Sequence, residues 1–422
     1  MIEGYKFFLK DYKAKYGDFQ FKVGEQYKHD GPVILCQSGF HFSKKLSDAF
    51  EYYKEEAHHC CKVKGDGKIK EGKDKIVCSE IHIKEELNIA EVLEKLSEDS
   101  NNDVRRAVAA NPNCSINTLK KLSEDNNIKE IVVRNPNCPV EILDKLCKDD
   151  NWYTKWAIVN NSNCPINVLK KLSEDSNYNI KEAVAKNPNC SVDILKELSK
   201  DNNWNVKKAV AKNSNCPTET LEKLSKDDSW NVRWAVAKNP NCLVNILDKL
   251  SNDNDWDVRR EVVLNSNCSV EILKKLSMDD YWSVRRAVVS NPNCPTETLE
   301  KLSKDDDSDV RCEVINNLNC PTETLEKLSK YDNWGIRKAV AESPNCPIET
   351  LKELSKENHN DIKWAVAKNP NCPIETLKEL SKNNCWYIKL AVAENPNCPT
   401  ETLEKLSEDD DDIRKAIINN IT

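Results

Sequence analysis

Twelve cysteines set the frame of this chain. Cys114, Cys138, Cys164, Cys190, Cys216, Cys242, Cys268, Cys294, Cys320, Cys346, Cys372 and Cys398 follow one another by a first step of 24 residues and then ten steps of 26. Chance does not produce ten identical steps. A fixed period of this length is the mark of a repeat array, in which each unit buries its apolar face only against its neighbours. The short first step corresponds to two positions lost shortly after Leu122.

Each unit has two apolar segments. In Trp230-Asn231-Val232-Arg233-Trp234-Ala235-Val236 the residues Val232, Ala235 and Val236 recur at i, i+3, i+4, and in Pro295-Thr296-Glu297-Thr298-Leu299-Glu300-Lys301-Leu302 two leucines lie three apart. Both spacings are helical, and neither segment alternates with period two as a strand would. Asn239-Pro240 predicts the end of the first helix, with Asn in the left-handed C-terminal conformation and Pro disfavouring helix before it. Pro follows the cysteine in eight of twelve units, as at Pro139, Pro217 and Pro399, and reads as the first residue of the second helix. Helices of about two to three turns do not persist alone in water, so stacking must stabilise them. Thirteen first helices run from Val104 to Ile413. Thirteen second helices run from about Leu96 to Leu406. The array opens on a second-type helix near Ile89 and ends on a first-type helix, with Asp409 to Asp412 as a solvated lead-in. Layers about 8–10 Å apart give a span on the order of 100 Å.

Composition divides the chain near residue 88. All seven Phe and eight of nine Gly precede it; all ten Trp and sixteen of seventeen Pro follow it. The expectation is a small α+β domain over residues 1–88 and an α-solenoid over 89–422. In the first, Val33–Cys36 and Val77–Ile83 read as strands. Leu46–Glu56 reads as a helix with Ser43 as N-cap, and Lys64–Lys75 as a charged hairpin or loop. No run of eighteen apolar residues would cross a membrane. The start of the chain has neither a basic stretch nor an apolar one after it, and nineteen cysteines is an odd number. Both point to reduced thiols in a cytoplasmic protein.

The pattern Asn-Pro-Asn-Cys-Pro, Leu-x-x-Leu-Ser-x-Asp, Val-Arg-x-Ala-Val-Ala resembles the variant leucine-rich repeat, over about residues 89–422. The resemblance implies a right-handed superhelix of HEAT-like character in which one helix of each pair is 3₁₀. A founding member carries an iron–sulfur cluster in a separate cysteine-rich segment; no such segment is present, so the cluster is not carried over. Residues 1–88 look like a small uncharacterised domain of bacterial and phage proteins. That resemblance rests on Gly4-Tyr5-Lys6, Phe21-Lys22-Val23-Gly24-x-x-Tyr27 and Cys36-x-x-Gly39-Phe40-His41-Phe42, and it supplies no activity.

Four columns of side chains are candidates for function. The cysteines, about 8–10 Å apart from layer to layer, are too distant for disulfides and too linear for tetrahedral zinc, and read as small buried thiols. A basic column, Arg105, Lys129, Lys155, Lys181, Lys207, Arg233, Arg259, Arg285, Arg311, Arg337, Lys363, Lys389 and Arg414, could bind phosphates. Most of these have an acid six residues earlier, such as Asp99, Asp201, Asp227, Asp253, Asp279 or Asp305, and Asp–Arg pairs tie layers together in HEAT-like repeats. An aromatic column holds Trp152, Tyr178, Trp204, Trp230, Trp256, Trp282, Trp334 and Trp386, broken by Asn102, Ser308, Asn360 and Asp411. Stacking of each ring on the next is one reading of it; a partner-binding ridge is the other, because Trp and Tyr dominate binding hot spots. These eight residues are the candidate partner-binding residues, with Trp156, Trp234 and Trp364 widening the same face. An Asn column (Asn111, Asn135, Asn187, Asn239, Asn291, Asn369, Asn395) reads as helix capping.

Residues 1–88 contain zinc-ligand types in His41, His58, His59, Cys60, Cys61, Cys78 and His82. Their spacing does not match a paired C-x₂-C pattern, so no metal and no cofactor is assigned. Gly39-Phe40-His41-Phe42-Ser43 followed by a helix bearing Tyr52-Tyr53 resembles the strand–helix element of ADP-ribosyltransferases, without an assignable catalytic glutamate. The function expected is therefore a non-enzymatic scaffold for protein or peptide partners. A nucleic-acid-binding array is an alternative, opposed by 47 basic against 55 acidic side chains in residues 89–422. A small enzyme carried on a targeting solenoid is a further one; a closed pocket holding His41 and Tyr52 or Tyr53 beside a carboxylate would support it. Nothing in the sequence speaks to the oligomeric state.

Overall fold

A computed structural model describes residues 1–16, 18–408 and 411–421. The chain forms two compact units, residues 1–216 and 217–422. Among the described residues it is a mostly α repeat architecture of 27 α-helices with a β-rich subdomain at the N-terminal end.

The first unit opens with five antiparallel strands: β1 (Ile2–Phe8), β2 (Gln26–Lys28), β3 (Phe40–Phe42), β4 (His59–Glu71) and β5 (Ile76–Leu87), with α1 (Leu46–Glu51) and a 3₁₀ turn (Lys54–Glu56) before β4. The sheet order is β1-β4-β5-β2, and β3 shares the outer edge of β5 with β2. The β4–β5 hairpin is its spine. The charged segment expected as a hairpin is this one, although its strands extend further than expected. Bulges near Lys62 and between Asp66 and Ile69 bend it. One face buries Phe8, Phe21, Phe42, Val63, Ile81 and Ile83 together. On the other, Phe7 packs edge-on to Phe50 of α1. Gly4 is required where β1 crosses the chain after β3, since a Cβ there would stand 2.3 Å from the Ser43 carbonyl oxygen.

Three expectations fail here. The helix expected over Leu46–Glu56 stops at Glu51 and is followed only by the 3₁₀ turn Lys54–Glu56, with Lys54 at φ +49. Val33–Cys36 is a turn closed by an Ile34–Ser38 bridge rather than a strand, with Cys36 at φ +64. Ser43 does not cap α1. It is buried and exchanges both backbone hydrogen bonds with Tyr5, and Lys45 is the N-cap residue. The ladder holds Ser43 two residues before the N-cap position, where its side chain caps no N–H of α1.

From α2 (Ile89–Leu96) to α27 (Asp411–Ile421) second-type and first-type helices alternate. A first helix has nine residues in most layers, as in Trp230–Lys238, and a second has seven, as in Thr218–Leu224. In the first, Val232, Ala235, Val236 and Ala237 are buried; in the second, Thr220, Leu221 and Leu224 are. Within each unit every first helix lies beside the first helices of adjacent layers. Asp409 and Asp410, the start of the expected acidic lead-in, lie outside the described residues.

Both helices of each pair are α-helices, so the 3₁₀ character implied by the resemblance does not extend over either. It survives only as i→i+3 bonds at helix ends: the Pro217 carbonyl accepts from both Thr220 N–H (2.9 Å) and Leu221 N–H (3.0 Å) at the start of a second helix, and Asp227 N–H donates to the Leu224 carbonyl (3.1 Å) at its end. Pro217 itself is the N-cap, extended at φ −71, ψ 148, one position earlier than expected. In three layers Ser takes its place, and the Ser115 hydroxyl caps Thr118 N–H at 3.1 Å. The two-residue deletion after Leu122 draws Ile128 fully into the core at the head of the shortened helix Lys129–Arg134.

A candidate interaction surface on the first helices

The cysteine column is buried, and burial pushes its thiols up, to about 12 at Cys242. Such a cysteine closes a four-residue turn, Asn-Pro-Asn-Cys in seven of the twelve layers, as Cys242 N–H donates to the Asn239 carbonyl at 3.0 Å.

The Asn column does more than cap, and none of its members with a described cap geometry is left-handed. Asn265 is extended at φ −72, ψ 133. Its Oδ1 accepts from Asn267 N–H at 2.9 Å, and its Nδ2 donates to the carbonyls of Ala237 (2.6 Å) and Asn239 (3.0 Å) in the preceding layer. Asn135 does the same to Ala109 and Asn111, and Asn369 to Ala341 and Ser343. In the first layer Asn111 has no repeat before it. Its Nδ2 donates instead to the carbonyls of Lys54 and Ala57, so the N-terminal subdomain stands in for the missing layer.

The basic column is paired across layers. In the first unit Arg105 meets Asp125 at 3.0 Å and Lys181 meets Asp201 at 2.8 Å. In the second, Arg233 meets Asp253, Arg259 meets Asp279 and Arg285 meets Asp305 through two-pronged contacts. The acid lies twenty residues later. The acid six residues earlier supplies its backbone carbonyl, as Arg259 Nη1 donates to the Asp253 oxygen at 2.6 Å. Burial raises Asp305, but hydrogen bonds from Arg285 and from Asp307 N–H, with the Arg285 and Arg311 charges, outweigh it and hold it below the usual carboxylate range. A column neutralised in this way offers no open stripe of cations, which removes the main support for phosphate binding along it. The rung at Arg311 differs. Residue 331 is Tyr where an Asp would be expected, so Arg311 lies 4.9 Å from the Tyr331 ring centroid and its buried Nε has no hydrogen-bond partner.

The aromatic column stands at the first turns of the first helices, mostly exposed, from 40% at Trp152 to 59% at Trp386; Trp256 is half-buried. Its rings pair with residues outside the column. Trp256 stacks on Tyr281 at 5.8 Å and Trp334 on His359 at 4.7 Å, each partner being the N-cap residue of the next first helix. Trp152 and Tyr153 have centroids 3.9 Å apart, and Trp386 meets Tyr387 edge-on. Rung-on-rung stacking is not the arrangement in these layers. Tyr281 and His359 occur in single layers, so no periodic signal marks them.

In the first unit this surface deepens into a groove of about 770 Å³ between the helices Trp152–Val159 and Tyr178–Lys186. Trp152, Tyr153 and Trp156 line one wall. Arg134, whose guanidinium lies 5.7 Å from the Trp156 ring, and Glu182 and Lys186 add charge. Neither Tyr153 nor Arg134 was expected at a site; only the layer geometry brings them beside the column. Among the described residues no three of His, Cys, Asp and Glu converge as metal ligands, and no helix is long and apolar enough to cross a membrane.

Comparison with known proteins follows this division. Residues 2–95 match a family described as a domain of unknown function (DUF7666), and residues 282–307 and 386–411 match the leucine rich repeat variant. No curated protein matches the chain. Among solved structures the chain is similar to "a leucine-rich repeat variant with a novel repetitive protein structural motif", at 25% identity and a TM-score of 0.43 over 52% of this chain and 88% of that one. It is also similar to a chain of the "Kap95:Nup1 complex", at 13% identity and a TM-score of 0.37 over 79% of this chain and 55% of that one. The chain thus joins a distant leucine-rich-repeat-variant-like fold to a small N-terminal domain whose family has no assigned function.

Proposed function

We propose that the protein is a non-enzymatic interaction scaffold, a head of residues 1–88 on an array of residues 89–422, that holds protein or peptide partners on the aromatic face of its first helices. The observation that carries this reading is the recurrence of open Trp and Tyr rings at Trp152, Tyr178, Trp204, Trp230, Trp282, Trp334 and Trp386, in columns where neighbouring positions are paired or buried. Large, stiff aromatic side chains left half in water lose little entropy on binding and contribute most at interfaces. The groove at Trp152, Tyr153 and Trp156 supports a peptide as occupant, since Arg134, Glu182 and Lys186 offer both signs of charge around an apolar wall. The buried, unpaired cysteines support a reducing compartment as its place of work.

A displayed library of random peptides, selected on the full chain, tests this. Selected peptides are expected to bind the wild type and to lose at least about tenfold in affinity to the folded double variant Trp152→Ala, Trp156→Ala, as loss of hot-spot aromatics does. Selection of no peptide, or of peptides indifferent to both substitutions, would overturn the reading.

A further inference from the structure

The N-terminal subdomain contains a cleft of about 540 Å³ that the scaffold reading does not use. Its walls come from β1, from residues 14–16 with Phe19 and Phe21, from the turn 36–39 and β3, and from the end of α1 with Lys75. The size and the mostly aromatic lining are those of a small-molecule site. His41 and both tyrosines expected beside it, Tyr52 and Tyr53, line it. No carboxylate lines it, although Asp74, outside the lining, accepts from the Tyr52 hydroxyl at 2.6 Å. The lining charges are cationic instead.

Lys6 is the telling residue. It is only 7% exposed, and its Nζ donates to the His41 carbonyl at 2.9 Å. It lies 5.2 Å from the Phe21 ring centroid. Among the described residues no carboxylate pairs with it. A buried ammonium without a counter-charge is costly to keep, and desolvation lowers Lys6 to about 8. Lys75, likewise without a carboxylate partner among the described residues, sits 3.9 Å over the Tyr52 ring. The third lysine of the lining, Lys15, is already paired with Glu56 at 3.0 Å. Burial, then the charges of Lys6 and Lys75, depress His41, so both ammonium groups act on one ring from within the same cleft. His41 Nε2 accepts from Cys36 N–H at 3.0 Å, which leaves that nitrogen without a proton. Around these cations stand exposed or part-exposed rings, among them Tyr16, Phe19 and Phe40. Gly39, at φ +108, lets the wall close in, since a Cβ there would meet Val77 at 2.8 Å.

We propose that this cleft binds a small aromatic phosphate monoester, its dianionic phosphate held between Lys6 and Lys75 and its ring against Phe19, Phe40 and Tyr16. Two cations without a carboxylate ion pair among the described residues call for a doubly charged group, and flat aromatic walls accept a flat ring. This site is separate from the groove of the first helices, and neither reading depends on the other.

Titration calorimetry of the full chain with adenosine monophosphate, phenyl phosphate, adenosine and inorganic phosphate tests it. Adenosine monophosphate or phenyl phosphate is expected to bind at least about tenfold more tightly than either adenosine or inorganic phosphate, because ring and charge act together. Which of the two binds more tightly tells a nucleotide pocket from one for a single ring. Lys6→Met and Lys75→Met should each weaken binding by about tenfold, the order expected for one charge-assisted contact. Lys6→Met replaces a buried charge by an apolar chain of similar length and should leave the thermal midpoint unchanged or raise it; if it does not fold, the exterior Lys75→Met decides. No binding by either ester up to about 5 mM, or binding equal to that of inorganic phosphate, or binding indifferent to the lysine substitutions, would overturn the proposal.

Discussion

At the scale of single residues the side-chain amide of Asn265 shows what holds a layer in place. Three hydrogen bonds converge on a side chain that is 6% exposed, one to its own turn and two to the layer before. Asn265→Ala would take the amide partner from the buried Ala237 carbonyl and from Asn267 N–H, and one of two donors from the Asn239 carbonyl, at a cost of about 2–4 kcal/mol. Asn267→Ala, two positions on, removes an exposed bond to the Pro240 carbonyl and a longer one to Cys242, and should cost under about 1 kcal/mol. Urea unfolding followed by circular dichroism compares the two, and equal losses would remove the distinction. A backbone argument from Asn-Pro reaches the right residue for an incomplete reason. The chain there is extended even at Asn265, which no proline follows, because the amide must face the preceding layer.

At the scale of helices the interlayer ion pair is the recurring joint, and the altered rung at Arg311 provides a test. Arg311 has exchanged a carboxylate for the face of Tyr331, leaving a buried N–H unmatched. Tyr331→Asp restores the pattern of Arg285 with Asp305 and is expected to raise stability by about 1–2 kcal/mol, the net worth of charge-assisted hydrogen bonds. A denaturant midpoint that stays put or falls would show that the ring already satisfies the guanidinium. The helices themselves, seven to nine residues in most layers, draw on such joints and on columns of Val, Ala and Leu because they are below the length that holds alone.

At the scale of the whole molecule these joints add up to a dependence on acid. Asp125 is held low by Asn127 N–H and by Arg105, despite burial. Asp149 and Asp201 are raised by burial but lowered further by Lys129 and Lys181 and by backbone N–H groups. Groups depressed in the folded state are protonated more readily in the unfolded one. Their contribution is whole above the ordinary Asp value of 3.8 and is lost as pH falls through that value and below it. Stability should therefore hold from about pH 6 to 5 and drop steeply below about 4, with a smaller drop in Asp305→Asn. Urea midpoints across that range check it, and a flat profile to pH 3 would contradict it.

The 26-residue period, the two helices in each layer, the buried leucines and thiols and the change of character near residue 88 are written in local pattern. Spacing of three and four, and the chemistry of Pro, Asn and Ser at turns, act within a few residues and are therefore readable along the chain. Tertiary structure alone decided which Asp each Arg meets, which carbonyls Asn265 reaches, and that Ser43 belongs to a sheet edge. It also decided that Lys6, Lys75 and His41 share one cleft. Those pairings span from twenty to about seventy residues, and they exist only once layers and strands have packed at a definite distance and register.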